Sequence, residues 1–474
     1  MRNWISSSGR RPSAVATPPA SLVVNPGTDP PGANLAGAGA SMHIVVDTGS
    51  DNCANMGDVA MLQVAVERIR RAWPEAVIYV PTDAPAALAL FCPGVVPMAA
   101  SAKRLWFQTH TIFDRPHHLL PARVDRALAR TKRAVRRFRP KLLRTLVRMR
   151  QGESTGTLDR FLEVVAGAQV IIACGQGGIT DHVSTQAISL LDLLDMAMRS
   201  NAWVAMLGQG IGPMTGSRLR AIARDVLPRV PFIALRESRT GPALLAELGV
   251  PAEHITVTGD DAIALAHALR PSGPGGAIGV NLRVAPSAGV DESVIPAVRS
   301  VVHDCARRFG AQLLPVPIAL GQRALDAHTI QRLLAGFDDA SDGGRTLDSP
   351  RAIIEQVGRC RVVVTGAYHA AVFALAQGIP AVCVARSTYF ADKLLGLADQ
   401  FGTGCEVVLI AEDGFEPRLR DAIDRAWHHA DEYRTPLLEA ATRQITLGEE
   451  AFAQLRVRID TSIATQQRGR SPTK

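Results

Sequence analysis

The stretch Arg361 to Leu397, RVVVTGAYHAAVFALAQGIPAVCVARSTYFADKLLGL, decides the fold. Val362 to Thr365 are apolar or β-branched without alternation, which predicts a strand buried on both faces. Gly366 ends it, and Ala367 and Tyr368 make a short turn. His369 stands where a helix should begin. Ala370 to Gln377 predicts a short apolar helix, stopped by Gly378 at its C-terminal cap position and by Pro380 just beyond. Ala381 to Ala385 predicts a second buried strand. This is a βαβ unit, and such units hold ligands at the carboxyl ends of their strands, beside helix N-termini. Exposed N–H groups there favour an anion. His369 is therefore aimed at an anion site, and Lys393 lies one helix further on.

Working outward, 474 residues with 47% hydrophobic content suffice for two cores. Seven cysteines without a CxxC spacing indicate neither a disulfide framework nor a zinc site. Cys174 and Cys383 fall in predicted strands and read as small core hydrophobes. A reducing cytoplasm is the expected setting. No apolar run reaches the roughly 18 residues of a membrane span. The net charge of +8 is one segment's: Arg123 to Arg150 holds 12 Lys/Arg and one acid, leaving the rest at about −3. That distribution gives no support to nucleic acid as a partner. Val124, Leu128, Val135, Phe138, Leu142, Leu146 and Met149 lay an apolar stripe among those arginines. The segment is thus a candidate for peripheral contact with an anionic membrane face, a solvated insertion, or a binder of acidic polymer. Pro140 should divide it into two shorter helices.

Residues 1–41 are rich in Pro, Gly, Ser and Ala and are expected to be disordered. Arg10-Arg11 lacks a following apolar run, so a signal peptide is not expected, and Met42 is a candidate start. Residues 42–272 read as a first Rossmann-like domain with a basic helical insertion at about 121–150. His43 to Asp47 is its first strand. The loop TGSDNCANMGD follows, then a helix capped by Asp58. That loop has neither a GxGxxG nor a P-loop pattern. Asn55 and Asp58 read either as site residues or as turn and cap residues. Two further strands each end in a Gly-rich loop, GQGGITD (175 to 181, with Gly177 and Gly178) and GQGIGPM (208 to 214, with Gln209 and Gly210). Loops of that kind let backbone N–H groups approach a ligand. Arg236 sits where another strand passes into a helix, expected over Arg236 to Gly249. Ser272 to Gly276, SGPGG, reads as a linker. Residues 273–465 form a second Rossmann-like domain with C-terminal helices, opening on AIGVNLR and Arg283. Residues 466–474 read as a disordered tail. The fold class is α/β, with two Rossmann-like domains in a glycosyltransferase-B-like arrangement and the active site in the cleft between them.

Together, Asn55-Met56-Gly57-Asp58, the two Gly-rich loops, LRESRTGPALLAELG from Leu235, and TGAYHAAVFALAQGIP with Lys393 resemble the polysaccharide pyruvyl transferase family. The resemblance runs from about Met42 to Phe401 in the family's order. It implies transfer of pyruvate from phosphoenolpyruvate to a sugar of a polysaccharide or lipid-linked precursor, giving a cyclic ketal. Phosphoenolpyruvate would be the donor substrate, with no cofactor and no metal. Two or three cationic groups are needed for the donor's phosphate and carboxylate. Arg236 and Lys393 are assigned there, with Arg283, Asn55, Gly57, Gly177, Gly178, Gln209, Gly210 and Tyr368 as further binding residues. The vinyl carbon needs a proton, which assigns general acid–base work to His369, while Asp58 would orient or deprotonate the acceptor hydroxyl. A histidine at a helix N-terminus should favour its neutral form unless a bound anion offsets this. Typical members carry Arg-Leu-His where this chain has Ala367-Tyr368-His369. Arg236, Arg283 or Lys393 must then compensate, or the donor differs. The alternatives are a nucleotide-sugar glycosyltransferase of the same fold and a non-catalytic relative acting as a scaffold in glycan synthesis.

Overall fold

In the computed structural model, residues 41–108, 131, 133–151, 156–175, 177–284, 289–321 and 326–470 are described. The expected disorder of residues 1–41, up to residue 40, and most of the basic segment before Arg133 lie outside them.

Apolar runs bounded by Gly-rich turns form two sheets with parallel pairing throughout. The first contains β1 (His43–Asp47), β2 (Val77–Thr82), β3 (Val96–Ala99), β4 (Val170–Cys174), β5 (Trp203–Gln209), β6 (Ile233–Leu235) and β7 (Ile255–Val257), in the order β3-β2-β1-β4-β5-β6-β7. The second contains β8 (Ala277–Asn281), β9 (Leu313–Pro315), β10 (Cys360–Thr365), β11 (Ala381–Ala385) and β12 (Cys405–Leu409), in the order β12-β11-β10-β8-β9. Helices cover both faces, which is why β4, β8 and β11 are buried along their whole length. All seven cysteines are free, and Cys174 and Cys383 are core residues.

The order of connection reverses between β1 and β4 in one sheet and between β8 and β10 in the other. Crevices open at the carboxyl ends of strands at such switch points. The two halves meet there. The Met56 N–H donates to the Ile318 carbonyl at 2.9 Å, and the Leu320 N–H to the Ala54 carbonyl at 2.8 Å. The final helix, Ala430–Arg470, returns to the first half, where the Trp73 indole donates to Asp460 at 2.8 Å. It continues past Thr465 to Arg470, so residues 466–470 of the expected disordered tail are helical. Among the described residues no helix is long and apolar enough to cross a membrane.

Pro140 does divide the basic segment, opening the helix Pro140–Gln151 after a short helical run at 133–138. Of the expected stripe, Val135 packs inward, but part of the inward face comes from other residues. Leu143 and Val147 are buried, while Phe138 and Leu142 face solvent.

Candidate functional site

Several of these strands deliver a candidate residue at their carboxyl ends. After β1, Asn55 caps the helix Met56–Ala72, its Oδ1 accepting from the N–H groups of Gly57 (3.0 Å) and Asp58 (3.4 Å). Asp58 is therefore not the cap, as the sequence suggested, but a first-turn residue. Its carboxyl is free to face the cleft. Gly57 has a steric purpose: an added Cβ would lie 1.9 Å from His369 Cγ and 2.0 Å from Nδ1. The imidazole of one half thus rests on the backbone of the other.

After β10, the helix begins at Tyr368, so His369 lies within its first turn and is buried. Position 367 is buried and no side chain caps the helix there; Thr365 Oγ1 accepts from the Ala367 N–H at 2.8 Å. After β6, Arg236 is only 2% exposed. The following helix starts at Gly241 rather than at Arg236, because the Glu237 carboxylate accepts from the N–H groups of Arg239, Thr240 and Gly241 and holds the chain in a turn. The guanidinium lies 4.2 Å above the Tyr368 ring, and Lys393 Nζ lies 4.9 Å from that same ring. Gly177 and Gly210 let it in: a Cβ would stand 2.8 Å from Arg236 Nη2 at the first and 2.7 Å at the second.

Asp260, at the end of the loop after β7, completes the cluster. Its Oδ2 is 3.5 Å from Arg236 Nη1 and 3.7 Å from His369 Nε2. The sequence analysis gives Asp260 no role, although Gly259-Asp260-Asp261 directly after a strand is the signal available. Tyr389 was also missed. Its hydroxyl donates to the Gly177 carbonyl at 3.2 Å, and its ring lies 4.6 Å from that of His182.

Five buried polar atoms in this cluster have no hydrogen-bond partner among the described residues: Arg236 Nε and Nη1, the Tyr368 hydroxyl, His369 Nε2 and Asp260 Oδ2. Buried polar groups are nearly always bonded, so such a concentration marks a place built for a ligand. A cleft of about 170 Å³ opens here, walled by Gly210, Ile211, Pro213, Leu244, Tyr389 and Lys393. A larger groove of about 480 Å³, between Gln63, Arg70, Phe91 and Leu269, contains no such atom. Size alone does not locate the site.

The charges are strongly perturbed. Burial raises Asp58 to about 6, opposed by Lys393 and Arg236, and raises Asp260 to about 6 against Arg236. Burial and then Arg236 lower Lys393 to about 7. Burial, with Arg236 and Lys393, holds His369 well below the usual imidazole value. The cluster thus gathers cations against a histidine that stays neutral, an arrangement suited to binding an anion and accepting or relaying a proton.

Other expected site residues are held by partners within the protein. Gln209 is fully buried, and its amide nitrogen donates to the Ala173 and Leu207 carbonyls, bracing β4 against β5. Asn55 is a cap, as above. Arg283 ion-pairs with Asp326 at 2.9 Å, though its charge still acts on Asp58 and Lys393. Gly178 continues the loop after Gly177 without lining the cleft. Among the described residues no group of three or more His, Cys, Asp or Glu could hold a metal ion.

Comparison with known proteins supplies a family and a fold. The model of the family described as polysaccharide pyruvyl transferase matches residues 55–388. No curated protein matches the chain. Among solved structures, a candidate UDP-N-acetylglucosamine 2-epimerase from Listeria monocytogenes aligns over 91% of this chain and 98% of its own, with 13% identity and a TM-score of 0.50. A UDP-GlcNAc 2-epimerase from Neisseria meningitidis, bound to UDP-GlcNAc, aligns over 88% and 99%, with 10% identity and a TM-score of 0.48. A glycosyltransferase from Rickettsia africae covers 88% and 98% at 9% identity, with a TM-score of 0.46. The likeness is one of fold: two Rossmann-like domains in the glycosyltransferase-B arrangement.

Proposed function

Since the chain belongs to the polysaccharide pyruvyl transferase family, we propose that it transfers pyruvate from phosphoenolpyruvate to two hydroxyls of a sugar in a cell-surface glycan or its lipid-linked precursor. One observation carries this reading. Arg236 is buried with Nε and Nη1 lacking hydrogen-bond partners, beside Lys393 and at the mouth of the cleft. A donor with a phosphate and a carboxylate gives those N–H groups their acceptors. The same pair of cations answers the substitution at position 367. Ala367 is buried and offers no charge, and Arg236 and Lys393 both gather over the neighbouring Tyr368 ring.

The reaction adds a proton to the donor's CH2 carbon, making it a methyl group, and positive charge develops at C2. A sugar hydroxyl attacks C2 and inorganic phosphate leaves; the second hydroxyl then closes the ketal. His369 and Asp260 are the groups for the proton. With the cleft free of an anion, burial together with Arg236 and Lys393 keeps the imidazole neutral. A bound dianion cancels their field and lets His369 Nε2, facing Asp260 Oδ2, carry a proton next to the donor. Asp58, from the opposite half, would take the proton of the acceptor hydroxyl.

The test is calorimetric titration with phosphoenolpyruvate, followed by assay of released phosphate with sugar acceptors. We expect saturable binding by the wild type, and binding without turnover by His369→Ala. An absence of binding at millimolar donor, with release of a nucleoside diphosphate from a nucleotide sugar, would replace this reading with a glycosyltransferase. Donor binding without turnover on any acceptor would favour a non-catalytic scaffold.

A further inference from the structure

The basic segment presents a surface that the proposed chemistry does not use. Its arginines divide into two sets. Arg133 and Arg136 both bond Asp192, Arg137 reaches Asp225 at 3.2 Å, and Arg144 meets Asp159 at 2.6 Å. With Leu143 and Val147 buried and Val135 packed beside them, these contacts clamp both short helices to the body of the first half. Most of the segment's described charge is thus neutralised internally, and cannot serve as a general polyanion-binding face.

At the joint between the helices, Phe138-Arg139-Pro140-Lys141-Leu142 is exposed along its whole length. Phe138 is 72% exposed and Leu142 53%, two of the five large apolar side chains that stand exposed among the described residues. Arg139 and Lys141 form no ion pair among the described residues. The turn is fixed rather than loose: the Arg139 N–H donates to the Val135 carbonyl at 2.7 Å, and the Leu143 N–H to the Arg139 carbonyl at 3.1 Å. Apolar, cation, proline, cation, apolar is an order with two requirements at once. The cations ask for negative charge, and the Phe and Leu ask for removal from water. A soluble acidic polymer meets only the first.

We propose that this knuckle docks the protein on an anionic lipid surface, with Phe138 and Leu142 entering the boundary between headgroups and acyl chains and Arg139 and Lys141 remaining at the phosphates. Amphipathic contacts of this kind bind through buried apolar area plus attraction to anionic headgroups, and long basic side chains reach back to the headgroup level.

The test is cosedimentation of the full chain with vesicles of phosphatidylcholine mixed with phosphatidylglycerol, beside phosphatidylcholine alone. Wild type should sediment with the mixed vesicles and be released by salt. Phe138→Ser with Leu142→Ser should weaken this by about tenfold or more. Arg139→Glu with Lys141→Glu should weaken it by roughly fivefold per position at least. All four side chains are exposed, so thermal melting should be unchanged, which separates lost docking from lost folding. Wild type that stays in the supernatant, or a Phe138/Leu142 double variant that binds as well as wild type, would overturn the proposal. The second outcome would leave only a cationic contact of the sort an acidic polymer makes.

Discussion

Two arginines, Arg68 and Arg236, are buried to nearly the same degree, at 4% and 2% exposed, and are treated in opposite ways. Arg68 lies on the helix Met56–Ala72 and is closed on both sides: Nη1 bonds Asp261, and Nε donates to Glu449 at 2.9 Å. It ties the first half to the loop after β7 and to the returning C-terminal helix. Arg236 has a single carboxylate at 3.5 Å, an aromatic face below it, and two N–H directions unfilled. A buried charge is costly unless paired, so a scaffold that closes one guanidinium and leaves the other open is reserving the second for something that arrives later. The adjacent residues Asp260 and Asp261 show the same division, one turned to the open arginine and one to the closed.

The largest expected effect sets these two residues against each other. Arg236→Ala should weaken phosphoenolpyruvate binding by about a hundredfold or more, through loss of charge-assisted hydrogen bonds. Its melting temperature should stay the same or rise, because the native partners removed are weak. Arg68→Ala should lower stability by about 3 kcal/mol, since it strands Asp261, yet leave donor affinity nearly unchanged at temperatures where it is folded. Calorimetry and thermal unfolding of both variants check this. Equal behaviour in the two assays would mean that the open and closed arginines are not different in kind.

Gly57→Ala sharpens the comparison by separating binding from chemistry. The new Cβ would force the His369 ring aside by an ångström or more. Displacements of that size cost about a hundredfold in rate. Arg236 and Lys393 are untouched, so kcat should fall by about a hundredfold while the donor dissociation constant moves little. A fall in affinity without a fall in kcat would place His369 in binding instead.

This division explains how much could be read from the chain. The sheets were legible because β4 and β10 are apolar runs ending at Gly, and β11 is an apolar run entered through Gly378 and Pro380, a local signal. His369, Lys393 and Arg236 were legible because each follows a strand, and strand ends in such sheets converge. Whether a residue there faces the cleft depends on partners far away in sequence. Gln209 turns inward because the Ala173 carbonyl needs a donor. Asn55 is consumed by its own helix. Arg283 is drawn to Asp326. Asp260 stayed hidden because an Asp after Gly reads as a turn until Arg236, 24 residues earlier, is found facing it. The helix expected at Arg236 was displaced by Glu237, whose capping of Gly241 no periodicity could show.

The smallest effect is a pH dependence that the open cluster should have and the closed one should lack. Donor binding is favoured by a protonated Lys393 and by neutral Asp58 and Asp260. The two carboxyls, raised to about 6 by burial, ionise as pH rises through that value, and Lys393, lowered to about 7, then loses its charge. Both changes act in one direction. The dissociation constant for phosphoenolpyruvate should rise above about pH 7 by up to about tenfold per unit for the lysine proton. Lys393→Met should remove that limb while leaving the ligand's own titration in place, so the difference between the two curves isolates the lysine. The clasp around Arg68 behaves otherwise. Against its partial burial, the hydrogen bond and charge of Arg68 hold Glu449 below its ordinary value. Its contribution is present above that ordinary value and is lost only as pH falls through the lowered one, so between pH 6 and 8 it stays constant. A stability difference between wild type and Arg68→Ala that is flat across this range, beside a donor affinity that falls across it, is the expected pair of curves. If the affinity curve of Lys393→Met keeps the wild-type slope, the open cluster does not titrate through its lysine, and its charge must be carried by Arg236 alone.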